Sequence, residues 1–210
     1  MLGKHKEDAG PGGVARIYAR IPGTSQTWLA APAITLPDET LDWIEHGVID
    51  IDPDKIKQIT LTPAGGAPLV LSRNKVGDKL DVQNVPKGGK LKSDSPGTDI
   101  ASGFHTLELD DVEPAAKLAG SAVGTAHVDT FDGLNADLTF TKQNGQTWAT
   151  VTATGTGASA KEAADITART KGWAYQIADA RVTTLQTKLT DLLEAPPKSV
   201  APVVEKPKKK

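Results

Sequence analysis

The chain has 210 residues and no cysteine, which excludes disulfides and thiolate metal sites. Residues 195–210 carry five lysines and one glutamate, so the net charge of −2 leaves −6 for residues 1–194, and an acidic body disfavours nucleic acid as the main partner. No apolar run approaches the roughly 20 residues of a membrane span, and the N-terminus lacks the apolar segment of a secretory signal.

The N-terminal part is predicted to be a flexible segment followed by a β-hairpin. Residues 1–13 combine charge with glycine and proline, which is typical of a flexible entry. Apolar and polar residues alternate over residues 16–21, as in a half-buried strand, and Pro22-Gly23 is a turn before a second strand. The tripeptide Gln26-Thr27-Trp28 recurs as Gln146-Thr147-Trp148, which predicts two hairpins that are each anchored by a tryptophan.

A short helix is predicted after this hairpin. It opens at Leu36-Pro37-Asp38, and Gly47 is a natural residue to end it, because glycine adopts the left-handed conformation that terminates many helices. Its inward-facing residues are predicted to be Leu41, Trp43 and Ile44.

A second hairpin and a second helix are predicted next. The apolar residues of 56–61 and 69–73 flank the turn Gly65-Gly66, and residues 84–95 have the composition of an exposed loop. Ser95-Pro96 is typical of a helix start, with an N-cap followed by proline at the first helical position. The apolar stripe of this helix consists of Ile100, Phe104 and Leu107.

The second half of the chain is predicted to contain a β-meander. The Ala- and Gly-rich stretch from Pro114 to Gly124 is the best candidate for a boundary or insertion. Strands resume over residues 127–130, and a meander follows over residues 134–154. Its Asn144-Gly145 turn between alternating runs is the strongest short-range signal of a hairpin.

Two helices and a strand are predicted to follow the meander. Ser159 and Glu162 have the spacing of a capping box for a helix that ends at Gly172, and residues 173–177 alternate as a strand does. Asp179 caps a last helix. The apolar stripe of that helix consists of Val182, Leu185, Leu189, Leu192 and Leu193.

Together these elements predict an α+β fold, in which antiparallel hairpins and meander sheets carry helices on one face and small units are repeated. The predicted units are residues 14–115 and residues 125–194, packed together. Residues 195–210 are rich in proline and lysine and are predicted to be a disordered tail.

Several segments resemble one protein family, in the expected order and over most of residues 14–194. The chain is similar to the C-terminal half of a bacterial family, domain of unknown function 4340, which is associated with ABC-type, gliding-motility-like auxiliary transport components. The segments that carry the resemblance are YARIPGTSQTWLA, LDWIEHGVIDID, LVLSRNKVGDKLDV, the helix into LELDDV, TFDGLNADLTF and GWAYQIADARVTTLQTKLTDLLE.

The resemblance implies a membrane-tethered accessory protein at the periplasmic face of the inner membrane, with membrane-protein subunits of an ABC-type transport system as partners. Family members are longer, with an N-terminal anchor and an earlier copy of the unit. LGKHKED is similar to the end of that copy, so residues 1–13 are expected to be its remnant. Membrane contact is expected only through an upstream anchor, and the resemblance implies no catalytic residues.

One segment has the spacing of a dinucleotide-binding loop. Gly155 to Ala160 reads G-x-G-x-x-A between a strand and a helix, where such glycines let a pyrophosphate approach a helix N-terminus. The preceding strand alternates with threonines, as a half-exposed strand does, whereas the first strand of a dinucleotide-binding fold is buried on both faces. A loop before a capped helix is therefore preferred, and no cofactor is predicted.

Two sets of residues invite comparison with metal sites. Asp50, Asp52 and Asp54 alternate like the start of a calcium loop, but Lys55 and Leu61 replace its glycine and glutamate, so acidic turn residues are preferred. The histidines lack a zinc-binding spacing, and no metal site is predicted. They are His5, His46 (placed in the last turn of the first helix), His105 and His127.

An acidic cluster follows the second helix and is the one candidate interaction surface. It is either a solvated connecting edge or a docking surface for a basic partner. Its members are Glu108, Asp110, Asp111 and Glu113. Trp28 and Trp148 are predicted to pack in the core; in exposed positions they would stack on sugars.

These observations predict a non-enzymatic protein without catalytic, cofactor or metal-binding residues. The favoured function is an accessory or scaffold domain of a bacterial envelope ABC-type transport assembly, acting through protein–protein contacts. The alternative is a peptide- or glycan-binding module.

Overall fold

The structure is a computed structural model that describes residues 2–6, 15–31, 37 and 40–194. It divides the chain into two compact units, Met1–Glu45 and His46–Lys210, which we term unit 1 and unit 2. The predicted α+β class is confirmed, because antiparallel sheets are accompanied by a few helices. The predicted tail over residues 195–210 lies outside the described residues.

Unit 1 contains a three-stranded antiparallel sheet. Strand β1 (Leu2–Lys6) pairs with β2 (Arg16–Ala19), and β2 pairs with β3 (Trp28–Ala30). The predicted hairpin is therefore confirmed, and Gly23 in its turn has a positive φ of 83°. Within the predicted flexible entry, the first residues differ from the prediction because their backbone pairs with β2; residues 7–13 lie outside the described part.

Of the helix predicted after this hairpin, residues 36, 38 and 39 lie outside the described part, and the described remainder is not an α-helix. Thr40–Trp43 form a single 3₁₀ turn, and Gly47 begins a strand instead of ending a helix. One 3₁₀ turn is too short to present an apolar stripe, and both Trp43 and Ile44 are exposed. The Trp43 indole donates a hydrogen bond to the Pro37 carbonyl at 3.2 Å, which fixes the ring beside the turn.

Unit 2 is built on an eight-stranded antiparallel sheet. Its strands are β5 (Ile56–Pro63), β6 (Leu69–Ser72), β7 (Asp81–Val82), β9 (Asp111–Pro114), β10 (Ser121–Thr130), β11 (Leu134–Gln143), β12 (Gln146–Gly155) and β13 (Trp173–Gln176). Their order is β7-β6-β5-β10-β11-β12-β13-β9, so β7 and β9 are the edges. A separate two-stranded sheet pairs β4 (Gly47–Ile49) with β8 (Leu107–Glu108).

Both hairpins predicted within this unit are confirmed. Gly65 has a φ of +69° in the turn between β5 and β6. Asn144 and Gly145 have φ values of +52° and +85°, and two successive left-handed residues are the pattern of a type I′ turn. This turn sets the register of β11 and β12, which pair over ten residues each.

Strand pairing joins two ranges, residues 14–115 and 125–194, that the sequence predicts as separate units. β10 pairs with β5, with Val128 opposite Ile59, so residues of both 14–115 and 125–194 belong to one sheet. The stretch Pro114 to Gly124, predicted as a boundary, contains the 3₁₀ turn Ala115–Lys117 and the start of β10. An alternating pattern identifies a strand but not its partner, so the sequence does not reveal this pairing.

In the described part of unit 2, four helices accompany the sheet: α1 (Pro96–Ser102), α2 (Ala160–Thr170), α3 (Asp179–Leu185) and α4 (Leu189–Leu192). Helix α2 packs on β11 and β12 and buries Ala163 and Ile166. The prediction of this helix is confirmed, but its capping box does not form. The Ser159 hydroxyl instead donates to the Asp132 carbonyl at 2.8 Å.

The single last helix of the prediction is interrupted. Helix α3 ends at Leu185, and Lys188 is extended, with φ −101° and ψ 156°, before α4 begins. The Thr187 hydroxyl donates to the Thr184 carbonyl at 2.8 Å, and such side-chain bonds compete with helical ones. Val182 and Leu185 are buried as predicted, whereas α4 buries none of its residues.

The two faces of the large sheet differ in polarity. Along β10, β11 and β12 buried and accessible residues alternate except at Trp148, and the alternating buried set packs toward α2. The opposite face carries Trp148, which is buried, but is otherwise mainly polar along these strands. One row that crosses four neighbouring strands in register consists of Thr62, Thr125, Thr139 and Thr150.

Candidate functional site

A polar cleft in unit 2 lies beside the start of α2, the β10–β11 turn and the 3₁₀ turn Pro53–Lys55. Its volume is about 280 Å³, just below the range of roughly 300–1,000 Å³ for pockets that hold small-molecule ligands. The apolar residues that line it are Ile51 and Leu134, which are both buried. Its polar lining consists of Asp50, Asp52, Lys55, His105, Thr130, Asp132 and Glu162.

An ion pair crosses one wall of the cleft. Lys55 Nζ lies 3.2 Å from Asp132 Oδ2, and the Thr130 hydroxyl donates to the other carboxylate oxygen. The Thr130 hydroxyl, followed by the Lys55 ammonium, holds the pKa of Asp132 below its ordinary value despite partial burial. The hydrogen bond with Asp132 in turn raises the pKa of Lys55. Both groups therefore stay charged near neutral pH, and each neutralises the other.

A histidine–aspartate contact also lines the cleft. His105 Nδ1 lies 2.9 Å from Asp50 Oδ1, and the same oxygen accepts the Thr106 N–H at 2.8 Å. Thr106 has a φ of +47°, which is costly for a β-branched residue. Asp50 thus stabilises a strained turn, and Asp52 accepts the Asp54 N–H at 2.9 Å to cap the next one. These contacts agree with the preferred interpretation of the three aspartates as turn residues.

A second, wider lobe of about 590 Å³ continues along α2. Asp50 and Glu162 line both lobes. The other residues that line the wider lobe are Ala158, Lys161, Asp165, Ile166 and Arg169. Lys161 Nζ and Asp165 Oδ2 form an ion pair at 2.8 Å one helical turn apart.

Another charged cluster, not foreseen from the sequence, lies on the polar face of the large sheet. His127 is opposite Asp137 in the β10–β11 register, with 2.7 Å between Nδ1 and Oδ1, and its Nε2 lies 3.1 Å from Asp129 Oδ1. Partial burial alone would lower the pKa of His127, but the Asp137 hydrogen bond and the Asp129 charge raise it overall. Only the strand register brings these residues together.

The predicted acidic surface is divided by the fold. Glu108 lies on β8, in the two-stranded sheet, while Asp111 and Glu113 lie on the edge strand β9 and Asp110 precedes it. The Val112 N–H donates to Asp111 Oδ1 at 2.7 Å. Gln143 Nε2 donates to Glu113 Oε1 at 2.9 Å. Two of the four carboxylates therefore hold local structure.

The glycine-rich segment before α2 is a close-packed turn. A Cβ added to Gly155 would lie 2.5 Å from the Ser159 carbonyl oxygen and 2.8 Å from Ala163 Cβ, so glycine lets the helix approach β12. Gly157 has a φ of +60°. β12 pairs antiparallel on both sides, unlike the parallel strand of a dinucleotide-binding unit. Packing therefore accounts for these glycines.

The remaining histidines do not converge. His46 is exposed and follows the 3₁₀ turn instead of lying in a helix, and the His5 side chain lies outside the described part. Across residues 2–6, 15–31, 37 and 40–194, no group of three or more His, Asp or Glu side chains is arranged to hold a metal ion.

The predicted core position is confirmed for Trp148 and is wrong for Trp28. Trp148 is buried, with 6% of its surface exposed, but Trp28 is 41% exposed. Trp43 and Trp173 are also exposed, at 59% and 44%. The repeated Gln-Thr-Trp therefore begins two hairpin strands in different environments. Trp148 lies within an eight-stranded sheet, whereas Trp28 lies on an edge strand of a three-stranded one.

Unit 1 presents an unusually apolar surface. Its exposed large hydrophobic residues are Leu2, Tyr18, Ile21, Trp28, Leu29, Trp43 and Ile44. The described part of unit 2, although much larger, exposes two, Val76 and Trp173. Tyr18 is opposite Leu29 in the β2–β3 register, whereas Trp28 is opposite Ala19, so apolar side chains emerge on both faces of the small sheet.

Comparisons with known proteins give one match. A family model described as a domain of unknown function, DUF4340, matches residues 8–129, which is more than half of the chain. The match ends within β10, so the segments that begin at Thr130 lie outside it. No curated protein and no solved structure matches the chain. Among the described helices, none is long and apolar enough to cross a membrane.

Proposed function

Since this chain belongs to the DUF4340 family of domains of unknown function, we propose from its own residues that it is a non-enzymatic accessory or scaffold domain acting through protein contacts. The observation that carries the proposal is the apolar surface of unit 1. Among the described residues, seven large hydrophobic side chains are exposed in unit 1 and two in the larger unit 2.

Free-energy considerations support a partner for this surface. Large apolar side chains stabilise a complex by about 25 cal/mol for each Å² that they remove from water. Tryptophan and tyrosine are enriched at the energetic centres of interfaces, and Trp28, Trp43 and Tyr18 belong to this surface. Tight packing of these rings against a partner would remove them from water.

Strand addition at β9, one of the two edges of the large sheet, is a less suitable mode of contact. At the edge strand β9 the Val112 N–H is bonded to the Asp111 carboxylate, and Pro114 has no N–H to offer. An incoming strand would therefore find few donors there. Side-chain contacts with unit 1 are the more favourable route to a partner.

The resemblance suggests where the partner lies. We infer that the partners are membrane-protein subunits of an ABC-type, gliding-motility-like transport assembly at the periplasmic face of the inner membrane. The apolar surface of unit 1 is compatible with this inference, because stable interfaces between subunits are more apolar than the average protein surface.

Site-specific photo-crosslinking in native membranes tests the proposal. A photoreactive phenylalanine analogue is placed at Trp28 or, as a matched control, at the similarly exposed Trp173 of unit 2. Position 28 is expected to yield adducts with transport subunits, and position 173 is expected to yield few. Equal yields at both positions, or adducts with this chain alone, would contradict the proposal.

A peptide- or glycan-binding module is the second candidate, favoured by the exposed ring of Trp28, since an exposed tryptophan offers an apolar face for stacking. A ligand that binds the folded state raises the melting temperature by mass action. Thermal-shift screening against peptides and glycans, repeated with Trp28→Ala, tests this candidate. A shift that survives the substitution would place the ligand elsewhere.

A further inference from the structure

We propose that the polar cleft of unit 2 binds a lysine or arginine side chain of another polypeptide. The cleft combines the apolar Ile51 and Leu134 with carboxylates from the loop before the 3₁₀ turn and from the first turn of α2. This combination suits a side chain that has an aliphatic stem and a cationic head. The inference does not rest on the function proposed for unit 1.

The charges of the cleft favour a cation. Five carboxylates line its two lobes, together with three cations and one histidine. Two of the cations are neutralised internally, Lys55 by Asp132 and Lys161 by Asp165. The carboxylates outside these two pairs are Asp50, Asp52 and Glu162. Arg169 is the third cation, so the five carboxylates exceed the three cations by two, and an incoming ammonium or guanidinium group meets this excess of negative charge.

The position of the cationic head follows from the two lobes. Asp50 and Glu162 line both lobes, so a group at their junction is near both carboxylates. Both side-chain contacts recorded for Asp50 use Oδ1, and Oδ2 remains as an acceptor. The ammonium of Lys55, which would compete with the incoming group, is already bonded to Asp132 at 3.2 Å. The aliphatic stem of the ligand would then lie in the 280 Å³ lobe, against Ile51 and Leu134.

The test compares two small ligands that differ in charge. Nα-acetyl-lysine methylamide and its norleucine analogue are titrated separately into the full chain at low salt, and backbone amide resonances are followed by NMR. The lysine ligand is expected to shift the amides of His105, Thr106 and Glu162 saturably, and the norleucine ligand is not. The absence of a saturable shift, or equal shifts with both ligands, would overturn the proposal.

Two variants with the same change in charge locate the site. Glu162→Gln is expected to weaken binding of the lysine ligand about fivefold, the upper value for an ion pair of modest burial. Asp99→Asn removes a carboxylate from the first turn of α1, outside the cleft, and should leave the affinity unchanged. Equal effects of the two variants would assign the binding to overall charge. If Glu162→Gln fails to fold, the comparison of the lysine and norleucine ligands on the unaltered chain still decides whether the cleft binds a cationic side chain.

The source of the basic side chain is separately testable, because the C-terminal residues of this chain are themselves rich in lysine. In a full-length variant, Lys206, Lys208, Lys209 and Lys210 are replaced by glutamine. Unchanged affinity for the lysine ligand supports a separate polypeptide as the occupant. Tighter binding would overturn that assignment, because it would show that the chain's own lysines compete for the cleft.

Discussion

His127 Nδ1 lies 2.7 Å from Asp137 Oδ1 across the β10–β11 pair, on the polar face of the large sheet. The second ring nitrogen faces Asp129 at 3.1 Å. Ionised carboxylates only accept hydrogen bonds, so both contacts can be hydrogen bonds only if both ring nitrogens carry protons. The imidazolium form is therefore the one that the folded sheet stabilises.

The free energy of unfolding should consequently depend on pH through His127. Its folded-state pKa is raised above the ordinary value of 6.5, so the stabilisation is complete below pH 6.5 and is lost as the pH rises through the folded-state pKa. We expect His127→Gln to cost more stability below pH 6.5 than well above it, as measured by urea unfolding. Asp137→Asn should remove part of this pH dependence of the free energy of unfolding. A stability difference that stays constant with pH would contradict this account.

Because Trp148 is buried and Trp173 is partly exposed, replacing each with alanine should lower the free energy of unfolding by different amounts. Trp148→Ala removes a buried ring from the large sheet and should lower the free energy of unfolding by about 3–5 kcal/mol. Trp173→Ala, on the same sheet but 44% exposed, should cost less than about 1 kcal/mol. Urea titrations of both variants measure these values. Similar costs would show that Trp148 is not a core anchor.

The close approach of α2 to β12 predicts that Gly155 tolerates no side chain. Gly155→Ala places a methyl group 2.5 Å from the Ser159 carbonyl oxygen and should destabilise the fold by about 1–3 kcal/mol. At Gly47 an added Cβ meets nothing within 4 Å, so Gly47→Ala serves as the matched control and should be close to neutral. Thermal melting of both variants tests this, and a neutral Gly155→Ala would contradict the packing described here.

The strained turn beside the cleft offers a stabilising substitution. Thr106 has a φ of +47°, which glycine adopts without a steric cost, so Thr106→Gly should raise the free energy of unfolding by about 0.5 kcal/mol, and its N–H can still bond to Asp50. Asn144→Gly, at a φ of +52°, is the control, because asparagine already tolerates this conformation. Loss of stability in Thr106→Gly would indicate that the Thr106 side chain has a structural role.

The local elements of this fold could be predicted wherever one short segment determines the outcome. The turn at Asn144-Gly145 requires two left-handed residues, and the sequence supplies the pair that best adopts them. Helix α2 has its apolar residues on one side and glycines at both ends. The first predicted helix failed because its few residues make a single 3₁₀ turn, and Gly47 is paired instead with Glu108.

The cleft could not be predicted, because distant residues form it. Lys55 reaches Asp132 because β10 pairs with β5, and no local pattern specifies that pairing. The exposure of Trp28 depends in the same way on the size of its sheet, which its own strand does not reveal. Local patterns predicted both hairpin turns of unit 2 and helix α2, but no pattern predicted the contacts between distant strands.

The edge strand β9 has a consequence for copies of this protein that meet at high concentration. On its outward side the Val112 N–H is already bonded to Asp111, and Pro114 contributes no donor. Two such edges brought together would oppose carbonyl oxygens and repel, so the ladder does not continue from one molecule into the next. Asp111 and Pro114 thus prevent strand-to-strand association through β9, and we expect any self-association of the protein to use another surface.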